Sequence, residues 1–155
     1  MQLAQVNIAR MKGAIDSPVM SGFVASLDRI NALAESSPGF VWRLKDDDNN
    51  ATSMKIYDDD FIIVNMSVWE DTDSLFRYVY QSGHVEVFRR KKEWFHKMRE
   101  MHMALWYVEN GVFPSVADAR ERLEHIRKYG ETPYAFTFKK KYSPTDLKEY
   151  VHRSV

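Results

Sequence analysis

A chain of 155 residues without cysteine excludes thiol catalysis, cysteine-ligated zinc, iron–sulfur clusters and any disulfide framework. Hydrophobic residues at 45% and charged residues at 28% fit one globular domain over 1–155 that needs no metal or disulfide staple. The 22 basic and 22 acidic side chains cancel, so no global field recruits nucleic acid or an anionic membrane surface.

Taken in chain order, Val6 and Ile8 alternate with Gln5 and Asn7, and that period of two predicts a strand over 3–9. Asp16-Ser17-Pro18 starts a helix whose apolar stripe is Val19, Phe23, Leu27, Ile30 and Ala34, and Ser36-Ser37-Pro38-Gly39 ends it. Residues 40–44 read as a second strand. Residues 45–60 carry two aspartate triplets and read as a solvated connection, with a short strand at 54–57 at most. The strongest strand is 61–69: Ile62, Val64, Met66 and Val68 make one wholly apolar face. Asp71 or Thr72 caps a helix through Leu75, Phe76, Val79 and Tyr80. Ser82-Gly83 interrupts it, and His84, Phe88, Lys91 and Phe95 restart a helical stripe. A strand at 103–109, a helix at 116–128 opened by Pro114-Ser115 and closed by Gly130, a fifth strand at 134–138 and a short helix from Tyr142 complete the chain. The order predicts an α+β fold: a ferredoxin-like βαββαβ core, an antiparallel sheet with helices on one face.

Charge and metal signals are weak. Residues 1–75 are net acidic and 76–155 net basic, but blocks of three or four charges read as solvated faces. The aspartate triplets lack the glycine and distal glutamate of a calcium loop, and the histidines show no zinc-helix spacing, so no metal site is expected. No apolar run reaches the ~18 residues of a membrane span, and the N-terminus lacks a basic-then-apolar leader. The expectation is a soluble cytoplasmic protein.

If Val6, Ile8, Ile62, Val64, Met66 and Val68 face the helices, the opposite face holds Leu3, Gln5, Asn7, Phe61, Ile63, Asn65, Ser67 and Trp69. That set is too apolar for water and too polar for an ordinary core. A homodimer pairing two such faces around a cavity would cover it, with Trp42 and Trp106 adding rings.

Several stretches resemble the bacterial family called domain of unknown function 3291. They are 3–10, 30–44, Asn65-Met66-Ser67-Val68-Trp69-Glu70, 89–95 and Ala135-Phe136-Thr137-Phe138. The resemblance spans nearly the whole chain, departing at Val112, where a histidine is expected nearby. It implies the dimeric α+β barrel shared with antibiotic-biosynthesis monooxygenases, some of which oxidise phenolic or quinol-like substrates without a cofactor. Heme-degrading relatives place an Asn on the first strand, a Trp on the third and a His on the following helix, and this chain has Asn7, Trp69 and His84 on corresponding elements.

The functional expectation is a monooxygenase-like, cofactor-free oxidoreductase acting on an aromatic or polycyclic small molecule. The alternative is a non-catalytic dimeric module binding a hydrophobic ligand or heme. His84 is the candidate catalytic base, since imidazole exchanges protons near neutral pH and its neutral nitrogen can ligate iron; otherwise it is a helix histidine satisfied by a carbonyl or water. Asn7 and Asn65 either orient a ligand or tie strands together. Trp69 and Trp106 are aromatic walls for a planar ligand, or core rings. No phosphate loop, nucleophile elbow or kinase signature is present, which argues against nucleotide chemistry.

Overall fold

The computed structural model describes residues 1–82 and 84–153, and of His84 the backbone alone. Strand β1 (Gln2–Met11) runs through the middle of one antiparallel sheet. Along one edge it pairs with β3 (Ile62–Trp69), in register from Leu3 opposite Trp69 to Arg10 opposite Ile62. Its other edge is shared: β5 (Met103–Val108) takes Gln2 to Asn7, and the two-residue β4 (Phe95–His96) takes Arg10 and Met11. The short β2 (Phe40–Arg43) flanks β3. The order β2-β3-β1-β5 is that of the ferredoxin-like core.

Strand parity sends Ala4, Val6 and Ile8 to one face and Leu3, Gln5, Asn7 and Met11 to the other. The Val6 face is the larger core. Val64, Met66, Val68, Ala104 and Trp106 are buried there against Ala119, Leu123 and Ile126 of α5 (Val116–Tyr129), and Ile56 from the irregular 45–61 segment joins them. Ser115 and Asp118 start α5 with a reciprocal capping box, and Gly130, at φ +77°, ends it. The Leu3 face carries α1 (Ser21–Ser36), α2 (Thr72–Gln81), α3 (His84–Arg89) and the single turn α4 (Lys91–Trp94). Helices therefore lie on both faces, not one. The cause is α5, which returns under the sheet after β5 and buries the apolar Val6 face, while α1 and α2 cover the Leu3 face.

Three local readings also change. The stripe from His84 to Phe95 is not one helix: α3 ends at Arg89, α4 is one turn, and Phe95 is extended (φ −128°, ψ 140°) because β1 captures it as β4. The fifth strand reduces to isolated bridges: Leu105 and Phe136 exchange both backbone hydrogen bonds at 2.7 and 2.9 Å, and Ala135 pairs back with Thr132. Residues 54–57 form no strand: 54 and 55 are irregular and 56 and 57 lie in a bend. Helix α6 (Pro144–Arg153) closes the chain, and among the described residues no helix is long and apolar enough to cross a membrane.

Candidate functional site

The Leu3 face is unevenly covered. At one end Leu3 and its partner Trp69 are fully buried; Trp69 stacks on Tyr78 of α2 at 5.0 Å and meets the edge of Phe40 at 5.5 Å. At the other end Met11 packs with Met20 and Trp94, and Phe23 of α1 lies 5.8 Å from Trp94 and 5.0 Å from Phe95. Between these aromatic ends Asn7 and Asn65 face each other across the central strand pair, and both are exposed. Residues at the middle of a helix-covered sheet are normally buried. Their exposure means that the helices stand off the sheet there and leave a groove.

Helix α1 roofs that groove. Phe23 anchors it at one aromatic end, while Ala34 and the Ile30 carbonyl, which accepts from the Tyr78 hydroxyl at 3.3 Å, anchor it at the other. Leu27 lies between them in the same stripe and is only half-buried. Asp71 caps α2 by accepting from the Ser74 amide at 2.7 Å, which fixes the first turn of the helix carrying Tyr78. Burial pushes the Tyr78 hydroxyl pKa well up, against an opposing effect of Arg43, so the phenol is protonated at neutral pH.

A polar network lines the floor. Gln5 donates through Nε2 to Asn65 Oδ1 at 2.7 Å and to Ser67 Oγ at 2.8 Å, and the Trp69 indole donates to the same Ser67 Oγ at 2.8 Å. Arg43, opposite Ser67 in register and buried, donates to Glu35 Oε1 at 2.6 Å and to Asn49 Oδ1 at 2.8 Å. The Asn7 amide bonds to no other described side chain.

The structure thus brings Asn7 and Asn65 together. Trp69 shares their face, but its ring is buried at the end of the groove rather than presented as a wall. Trp106 lies on the opposite face: it pairs with Ala4, takes Ala4's side of the sheet, and is buried with the Arg122 guanidinium 5.8 Å from its ring. The His84 backbone begins α3, which packs beside α1, but its side chain lies outside the described residues. Gln5, Ser67, Arg43 and Tyr78 were missed as site residues. Gln5 and Ser67 share the parity of Asn7 and Asn65, which was a usable signal; nothing in the sequence marked Arg43 or Tyr78.

Other polar clusters are internally satisfied. Asp46 is held low by Ser53 and by loop amides, and Asp59 by the Phe61 amide and Arg10, so the triplets organise their own loop. Among the described residues, no group of three or more His, Asp or Glu side chains is arranged to hold a metal ion. A surface cavity of about 500 Å³ lies between α5 and α6, lined by residues including His125, Tyr129, Tyr134 and Tyr150. Its carboxylates are engaged, Glu121 by the Tyr134 hydroxyl and Glu124 by the Tyr57 hydroxyl, each at 2.6 Å.

None of the curated proteins matches the chain. Among solved structures it is similar to a candidate antibiotic biosynthesis monooxygenase from Nitrosomonas europaea, with a TM-score of 0.50 and 11% identity over 72% of this chain and 94% of that one. It is also similar to SnoaB, described as a cofactor-independent oxygenase from Streptomyces nogalater, with a TM-score of 0.48 and 21% identity over 72% of this chain and 96% of that one. The first likeness shows the fold alone, an α+β arrangement of the ferredoxin-like type. The family described as "Domain of unknown function (DUF3291)" matches residues 2–152, nearly the whole sequence, and the chain belongs to that family.

Proposed function

We propose that the groove over Asn7 and Asn65 binds a planar aromatic or polycyclic small molecule, and that the protein oxidises it with molecular oxygen and no cofactor. The observation that carries this reading is the exposed Asn7–Asn65 pair between two buried aromatic ends. Apolar ends with a few convergent polar groups are the usual make-up of a small-molecule site. In the reaction a base removes a proton from an activated CH₂ or OH of the substrate. The carbanion or phenolate gives electrons to O₂; for a CH₂ group, oxidation to C=O leaves the second oxygen atom as water. His84, at the start of α3, is the proposed base, because imidazole takes protons near neutral pH.

Heme fits the described residues poorly. Of the Asn, Trp and His that the resemblance groups together, Trp69 has its ring covered by Tyr78 and Phe40 and its N–H held by Ser67. A homodimer belongs to the same proposal, but not through the sheet face of Ser67 and Trp69, which helices of the same chain already bury.

The test is oxygen uptake with a tricyclic hydroxyanthrone, alongside binding measured by its absorbance. Turnover that falls at least tenfold in Asn65→Ala and in His84→Ala, with both variants folded, is the expected result. The absence of both binding and uptake in the wild type would overturn the reading. Tight binding without oxygen uptake would leave a ligand-binding module.

A further inference from the structure

We propose that Gln5 is a positioning residue that turns the Asn65 amide so that its N–H groups, not its oxygen, face the groove, and so selects ligands that present an oxygen acceptor. The inference rests on the reading of the groove as a small-molecule site and specifies what that site recognises.

The argument is one of hydrogen-bond polarity. An indole N–H can only donate, so the Trp69 contact makes Ser67 Oγ an acceptor at one end of the network. Gln5 Nε2 carries two hydrogens and has two oxygens in reach, Ser67 Oγ at 2.8 Å and Asn65 Oδ1 at 2.7 Å. Both hydrogens are used. Gln5 is 5% exposed, so an unused amide donor there would be expensive. With Oδ1 committed to Gln5, the two Asn65 Nδ2 hydrogens lie on the other side of the amide, and Asn65 is exposed. The floor therefore offers donors, and a carbonyl, phenolate or enolate oxygen is what they can hold. Hydrogen bonds to a charged acceptor are roughly twice as strong as those to a neutral one. The same donors therefore favour the anionic form of a bound phenol over its neutral form.

The experiment uses 2-naphthol as probe, titrated by absorbance in the presence of the full-length protein, with naphthalene binding as the control for groove shape. In the wild type the apparent pKa of bound naphthol should fall by about 1–2 pH units, which corresponds to a 10–100-fold preference for the naphtholate. Gln5→Met removes both donors with little change in volume, and the fall should shrink at least threefold while naphthalene binds as before. Gln5→Glu in its ionised form can only accept, so Asn65 should turn its oxygen outward and the naphthol pKa should rise instead. An unchanged fall in Gln5→Met, with both probes bound, would overturn the role of Gln5 and leave the groove reading standing. If neither naphthol nor naphthalene binds the wild type, both fail. A measurement on the wild type needs no variant: a scalar coupling across the hydrogen bond from Gln5 Nε2 to Asn65 Cγ should be present. A coupling from Asn65 Nδ2 to Gln5 Cδ would overturn the proposal.

Discussion

Arg43 and Glu35 are joined at 2.6 Å between a buried guanidinium on β2 and a half-exposed carboxylate near the end of α1. The bond ties the roof of the groove to the edge of its floor. Removing the carboxylate in Glu35→Ala leaves the guanidinium with Asn49 as its remaining side-chain hydrogen-bond partner. The change should destabilise the protein by about 1–2 kcal/mol, discounted because Glu35 itself is partly solvated. Glu35→Gln keeps an acceptor and should recover part of the loss. Urea melts of the three proteins read this directly, and coincident midpoints would show that the pair holds nothing together.

Val64 lies between the sheet and α5, 5% exposed. Val64→Asp puts a carboxylate with no partner into that layer and should cost at least about 3 kcal/mol, enough to abolish a cooperative melt in a marginally stable domain. A melting temperature near that of the wild type would mean the side chain escapes to solvent.

Gly39 packs against the first turn of α2 at φ +86°, and a Cβ there would collide with Ser74 Oγ. The left-handed backbone alone disfavours alanine by about 1–2 kcal/mol, and relieving the clash must move Ser74, which also donates to the Asp71 cap. Gly39→Ala should therefore lower stability and also disturb the Trp69–Tyr78 stack, visible as a changed near-ultraviolet circular dichroism spectrum. Lost stability with an unchanged spectrum would place the damage outside α2.

His125 contacts Thr132 Oγ1 at 2.9 Å, and burial followed by the charge of Arg122 holds its pKa below the usual histidine range. The folded state then resists protonation more than the unfolded state does. This contribution is complete above the unfolded value near 6.5 and is lost as pH falls from there through the lower folded value. The wild type should lose more stability than His125→Gln between pH 7.5 and 5.5. Parallel melting curves for the two proteins across that range would remove His125 from the acid response.

Strand parity was the most legible part of the molecule. The alternation of Gln5 and Asn7 with Val6 and Ile8 and the apolar face of 61–69 are local patterns, and each produced a correct strand on β1 and β3. The caps at Asp71 and Ser115 are equally local, since a side chain and an amide three residues on decide them. Which face α5 covers was not legible, because an amphipathic helix states that it has a partner but not which one. Phe95 shows the same limit: its helical spacing from His84 is outweighed by pairing with Met11, a contact 84 positions away. At the site, Asn7 and Asn65 could be placed on one face by parity. Their exposure could not, because it depends on how far α1 stands from the sheet. Arg43 and Tyr78 enter through register with Ser67 and stacking on Trp69, which only the assembled fold supplies.

The central position of β1 has a consequence for synthesis of the chain. Ala4 is flanked by Val68 on one side and Trp106 on the other, and the layer beneath it is completed by Leu123 and Ile126 of α5. β1 is thus made before every element that encloses it. At roughly 5–20 residues per second, the ribosome leaves Ala4, Val6 and Ile8 without the α5 layer for on the order of ten seconds. Until β3 emerges, β1 is an apolar strand with two open edges, the form most prone to pair with another chain. Chaperone binding during synthesis should accordingly concentrate on residues 2–11 and end once α5 has emerged.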